Sequence, residues 1–192
     1  MATIKNKLIK NFFSKEELNI LQKYCFNKLH STKDYFIDPQ SFSPAWYNDS
    51  LMDTLLETKL SFVEKESKLS LFPTYTYWRY YVYGGSLRKH RDRPSCEVSI
   101  TACIKKNDNW PIVIEGKKFE LDEGDGIIYN GVFQKHERPG IYKGEGMAQV
   151  FFHYVDKAGH FTRHQYDKYF KNTGNKAHEE DLKWMRLKKP LI

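Results

Sequence analysis

Cysteine is scarce in this chain of 192 residues: there are three, Cys25, Cys96 and Cys103, an odd number without a C-x-x-C pair. That excludes a disulfide framework and fits a reducing compartment. No apolar run approaches the ~20 residues a membrane-spanning helix needs. The opening stretch MATIKNKLIKNFF lacks the long apolar segment and small-residue cleavage site of a secretory leader. A phosphate loop is missing, because neither Gly84-Gly85 nor Gly124-Asp125-Gly126 leads into Lys-Ser/Thr. No Ser/His/Asp or Cys/His arrangement for nucleophilic catalysis stands out. These absences predict a soluble, cytoplasmic protein with no membrane partner.

What is present is a globular composition, 40% hydrophobic, 16% aromatic and 29% charged, which excludes a disordered chain. At this length one domain is expected over 1–192: helical support over 1–72, a β core over 73–155 and a basic extension over 156–192. The net charge is +7, and the extension holds nine Lys/Arg against five Asp/Glu. Such a tail can sit on nucleic acid or an acidic partner, but a solvated helix face around Leu182, Met185 and Leu187 is the simpler reading.

Ser14-Lys-Glu-Glu17 is a capping box, after which Leu18, Leu21, Cys25 and Leu29 recur at helical spacing. A loop carrying Asp38-Pro39 and Ser43-Pro44 follows. A second helix is expected from Asp49 or Ser50, with Met52, Leu55, Leu56, Leu60 and Val63 on its apolar face. From Thr74 the pattern changes to short strands, expected at 74–83, 95–105, 111–115, 117–121, 126–130 and 147–155. In 95–105 the even positions (Cys96, Val98, Ile100, Ala102, Ile104) are oily. The odd ones (Ser95, Glu97, Ser99, Thr101, Cys103, Lys105) make a small and polar face that suits a cavity wall. Short strands at this spacing predict a sandwich or barrel.

The constellation that could carry chemistry is His90-Arg91-Asp92 with His136, 46 residues further on. In extended backbone, residues i and i+2 project from one face, so His90 and Asp92 can reach one metal ion. A distant histidine completes a set of two imidazoles and one carboxylate, which suits non-haem Fe(II) and leaves positions open. The competing reading is an exposed basic turn, since Arg88, Lys89, Arg91 and Arg93 surround the pair.

The ordered series Arg79-Tyr80-Tyr81-Val82-Tyr83-Gly84, His90-x-Asp92, Ser99-x-Thr101 and Gly124-Asp125-Gly126-Ile127-Ile128-Tyr129, ahead of His136, resembles the Fe(II)/2-oxoglutarate-dependent dioxygenases, nearest their prolyl 4-hydroxylase-like branch. The resemblance covers about residues 74–155. It implies a mainly β fold with flanking helices, a double-stranded β-helix (distorted jelly roll) with the N-terminal helices packed outside. It also implies iron held by His90, Asp92 and His136, with 2-oxoglutarate and O2 as cosubstrates and ascorbate as an accessory reductant. The reaction it implies is hydroxylation of a substrate side chain, peptidyl proline first, with decarboxylation of 2-oxoglutarate to succinate. A peptide or protein is then the partner.

One departure stands out. The family holds the distal carboxylate of 2-oxoglutarate with an Arg or Lys about ten residues past the distal histidine. Here that stretch reads Gly146-Met147-Ala148-Gln149. Arg138 is the first substitute, two residues past His136 and therefore on its face, with Pro139 favouring extended backbone. Lys105 is the second, on the face of Ser99 and Thr101. Tyr81 offers a hydroxyl to the same carboxylate. Arg88, Arg93 and Trp78 are placed near the mouth.

Other features stay secondary. His153 reads as a hydrogen-bonded core or rim histidine, His160 and His164 as a weak i, i+4 pair, and Cys103 as packing. Aromatic and basic residues interleave over 75–93 as on a nucleic-acid platform, but strand alternation sends Trp78 and Tyr80 away from Tyr77, Arg79 and Tyr81. A nucleic-acid demethylase of the same superfamily and a non-catalytic β-barrel binding module remain as alternatives.

Overall fold

The computed structural model describes residues 4–32 and 34–167. The expected amphipathic segment around Leu182 and most of the basic extension lie outside the described residues. Eleven strands are described, paired antiparallel in two sheets. The larger sheet has seven strands: β1 (Lys7–Ile9), β9 (Gly126–Tyr129), β6 (Val98–Lys106), β11 (Met147–Asp156), β4 (Leu71–Tyr81), β3 (Ser43–Tyr47) and β2 (Phe36–Asp38), in that spatial order. The smaller has four: β5 (Ser86–His90), β10 (His136–Ile141), β7 (Ile112–Ile114) and β8 (Lys117–Phe119).

Strand alternation decides what each face meets. On one face of the large sheet, Trp78, Ile100, Ala102, Ile104, Val150 and Phe152 form a core with Leu21 and Cys25 of α1 (Lys15–Ser31), Met52 and Leu56 of α2 (Ser50–Thr58) and Val63 of α3 (Leu60–Ser67). Each fully buried aliphatic side chain there contributes roughly 1.5–3 kcal/mol. The opposite face, with Cys103, Ile127 and Tyr129, packs on Ile112 and Ile114 of the small sheet. This is the expected β fold with helices outside.

The helix signals resolve as follows. Ser14 and Glu17 form the reciprocal capping box, Glu17 N to Ser14 Oγ at 3.2 Å and Ser14 N to Glu17 Oε2 at 2.8 Å. Asp49 is the cap of α2, accepting from the Leu51 amide at 3.2 Å. The single second helix expected from the apolar stripe is two, broken at Lys59.

Two further differences bear on the site. The loop expected around Asp38-Pro39 and Ser43-Pro44 is the β2–β3 hairpin, paired through Phe36–Ala45 and Asp38–Ser43. Trp78, placed near the mouth by the sequence reading, is wholly buried on the helix side, stacked on Trp46 with centroids 3.8 Å apart. The same alternation that points Tyr77 and Arg79 inward sends it the other way. The flat nucleic-acid shelf over 75–93 is accordingly split between two faces.

Candidate metal centre and cavity

Cross-strand pairing builds the site. His136 opens β10 directly opposite His90, the last residue of β5, and their rings lie 4.3 Å apart. Asp92 follows two residues on, its backbone held by a 2.9 Å hydrogen bond from its N–H to the Gly131 carbonyl. The result is that Asp92 Oδ1 lies 3.5 Å from His90 Nε2 and 3.4 Å from His136 Nε2. The three ligand-type atoms fall within 4.8 Å of one another.

The backbone sets which ring nitrogen faces inward. His90 Nδ1 lies 2.7 Å from the Arg88 carbonyl, and His136 Nδ1 lies 3.1 Å from the Gln134 carbonyl. A carbonyl only accepts, so both Nδ1 atoms carry protons and, in the neutral rings, both Nε2 atoms present lone pairs. Two lone pairs and a carboxylate oxygen then converge on one point, an arrangement that a divalent cation satisfies and that is repulsive without a shared positive charge. Burial opposes the charged form of His136, but the hydrogen bond and charge of Asp92 outweigh it and raise its pKa. Asp92 is shifted the other way: burial would raise it, yet the hydrogen bonds from His136 and His90 hold it below the ordinary carboxylate range. The donor set therefore fits a metal of the non-haem Fe(II) class.

These residues open into a cavity of about 400 Å³. One wall is aromatic, with Phe36 and Tyr47 of the hairpin packed beside Tyr75, Tyr77 and Phe151 on the same large sheet. Asp38 ties the hairpin to the barrel through a buried ion pair with Arg79, and the Tyr77 hydroxyl donates to the same carboxylate oxygen. This pair went unread in the sequence. Its signal was a cation within a strand of aromatics, which requires a carboxylate from elsewhere.

Arg138 also lines the cavity, fully enclosed. Its guanidinium donates to the Trp110 carbonyl and, at 3.1 Å, to Gln149 Oε1, and among the described residues it has no carboxylate partner. Burial pulls its pKa below the ordinary arginine value. Gln149 thus occupies the stretch where the family's cation was missing, and hydrogen-bonds the arginine that reaches over from β10. Tyr81 lies beneath this group rather than on the cavity wall, its ring 5.9 Å from the Arg138 guanidinium. Its hydroxyl accepts from Arg79 Nη1 at 2.6 Å and so keeps its own proton to give.

Lys105 is placed elsewhere. A register shift in the β6–β11 pairing sets Lys105 opposite Ala148, whereas Cys103 is opposite Gln149. Directly paired residues share a face, so the bulge turns Lys105 to the helix side. There its side chain is 50% exposed and pairs with Glu123 at 3.0 Å. It does not line the cavity, which corrects the expectation that it shares a face with Ser99 and Thr101. Those two form the layer beneath the cavity, Ser99 bonded to His153 and Thr101 to the Tyr129 hydroxyl. Arg93 reaches the cavity wall, and Arg88 is exposed outside it.

No protein-family model and no curated protein matches the chain. Solved structures do. A Pseudomonas putida prolyl-4-hydroxylase superposes with TM-score 0.65 at 13% identity, over 81% of this chain and 95% of that one. The viral collagen prolyl hydroxylase of Paramecium bursaria Chlorella virus-1, in its 2-oxoglutarate complex, gives 0.59 at 12% identity, covering 78% and 94%. HygX of Streptomyces hygroscopicus, with nickel, 2-oxoglutarate and hygromycin B bound, gives 0.64 at 11% identity, covering 81% and 84%. At these identities the likeness is one of architecture: the chain shares the double-stranded β-helix fold of these solved structures.

Proposed function

We propose that this protein is a non-haem Fe(II)- and 2-oxoglutarate-dependent oxygenase that hydroxylates a substrate side chain, with peptidyl proline as the first candidate. The observation that carries this reading is one cavity holding two poles. One is the convergent set His90, Asp92 and His136; the other is a buried arginine without a carboxylate. An uncompensated buried cation costs several kcal/mol, and a dicarboxylate reaching from the metal would offset that cost.

Each residue then has a task. His90 and His136 give Nε2 lone pairs, oriented by the Arg88 and Gln134 carbonyls. Asp92 gives the third donor and one negative charge. Arg138 grips the distal carboxylate of 2-oxoglutarate through its planar fork, with the Tyr81 ring packed behind it. The aromatic hairpin walls exclude water and flank the entering side chain. When bound, iron with 2-oxoglutarate and O2 supplies the oxidation, in which 2-oxoglutarate leaves as succinate and CO2.

Anaerobic titration with Fe(II) and 2-oxoglutarate tests this. The expected result is a metal-to-ligand charge-transfer band in wild type, succinate formation once O2 is admitted, and loss of both in His136→Ala. A protein that binds neither, while keeping its fold, is the non-catalytic binding module. Proline peptides assayed for a mass gain of one oxygen then test the substrate.

A further inference from the structure

One polar group on the cavity wall is left over from this scheme. His153, in the middle of β11, lines the cavity on the side of Tyr75, the two rings 4.7 Å apart. Its Nδ1 lies 3.0 Å from Ser99 Oγ. Ser99 has one proton and gives it to the Cys96 carbonyl at 3.0 Å. The hydroxyl must therefore accept from His153, so Nδ1 carries the ring proton and Nε2 is an unprotonated lone pair. Among the described residues Nε2 has no hydrogen-bond partner, and His153 stands outside the group of three metal-ligating side chains.

A nearly buried acceptor without a donor costs free energy that a ligand carrying one recovers. The neighbours narrow what that ligand is. Arg93 lies against the same Tyr75 ring, its guanidinium 4.6 Å from the centroid, but it is paired with Asp167 at 2.8 Å, so its charge is already balanced and calls for no ion from the ligand. A carboxylate has no proton to give and would face the Nε2 lone pair. Aromatic side chains beside it on the same sheet face, the paired Tyr77 and Phe151 among them, favour a flat group.

We propose that His153 Nε2 reads the substrate, accepting a hydrogen bond from the N–H or O–H of a neutral, flat group such as an amide. This deepens the oxygenase reading, because it takes the cavity to be the substrate pocket. His153 is then a specificity-determining residue, and Ser99 a positioning residue that acts by fixing its tautomer.

The test uses the full chain, ¹⁵N-labelled at histidine, with Zn(II) as a diamagnetic stand-in and 2-oxoglutarate. Long-range ¹H–¹⁵N spectra report the tautomer, and the probes are 2-pyrrolidinone, which has an N–H, and 1-methyl-2-pyrrolidinone, which does not. The expected result is His153 in the Nδ1–H form, an Nε2 signal that moves upfield with 2-pyrrolidinone, and several-fold weaker binding of the methylated probe. His153→Phe is expected to erase that preference. A proton on Nε2, equal binding of the two probes by wild type, or no response to either overturns the proposal, and none of these depends on the variant folding. Failure of the oxygenase reading appears separately, as His90 and His136 signals that ignore Zn(II), while the tautomer and probe preference of His153 are still read on metal-free protein.

Discussion

A β-carbon placed on Gly131 would lie 2.5 Å from Asp92 Oδ2 and 2.5 Å from the Cys96 carbonyl. The turn after β9 therefore needs a residue without a side chain so that the Asp92 carboxylate can sit between the two histidines. Gly131→Ala is expected to push the carboxylate out of line and lower Fe(II) affinity about ten- to hundredfold. Anaerobic metal titration checks this, and unchanged affinity would count against the role given to Asp92.

Arg138 and Lys105 make opposite predictions. Arg138→Gln is expected to weaken 2-oxoglutarate binding by about 2–5 kcal/mol, the usual loss when one partner of a buried charged pair is removed. Metal binding should be retained. Lys105→Gln, on the far side of the sheet, should leave the 2-oxoglutarate requirement unchanged. A steep rise with Lys105→Gln and none with Arg138→Gln would reassign the carboxylate.

Asp38→Asn leaves the Arg79 guanidinium buried without its counter-charge. The expected cost is about 3–5 kcal/mol of stability, read from urea unfolding midpoints. Part of it should return in Asp38→Asn/Arg79→Met, where no lone cation remains. Additive losses in the double variant would show that the two residues act independently.

His153 gives stability a pH dependence of known sign. Burial pushes its pKa down to about 4 from 6.5, opposed by the nearby Asp92 charge and reinforced by Arg93. The unfolded chain therefore takes up the proton first, and stability present above pH ~6.5 is lost as pH falls toward 4. The loss between pH 7.5 and 5 is about 2 kcal/mol for this group alone. His136, whose pKa is raised, contributes with the opposite sign, so the comparison is wild type against His153→Gln without metal. The variant should lose less stability on acidification; an equal loss in both would contradict the buried, neutral His153.

Much of this was legible in the sequence because it depends on local periodicity. The alternation in 95–105 shows which residues of β6 face the helices, and Ser14 with Glu17 marks the start of α1. His90 and Asp92 were readable as a pair because they lie two residues apart. What was hidden depends on tertiary placement. The β2–β3 hairpin is short, has Pro44 in one strand and carries exposed apolar residues, so composition resembled a loop. The partnership of Asp38 with Arg79 spans 41 residues and leaves no local trace. Lys105 was misplaced because a bulge in the β6–β11 register breaks the period of two on which the alternation argument rests.

His136 and Arg138 occupy a single strand, separated only by Glu137. In the proposed scheme that short stretch of backbone works as a ruler, setting the spacing between the inorganic and organic halves of the reactive assembly. Inserting one residue between them would swing the guanidinium outward while sparing the imidazole. Such a protein would still capture iron yet be starved of its cosubstrate.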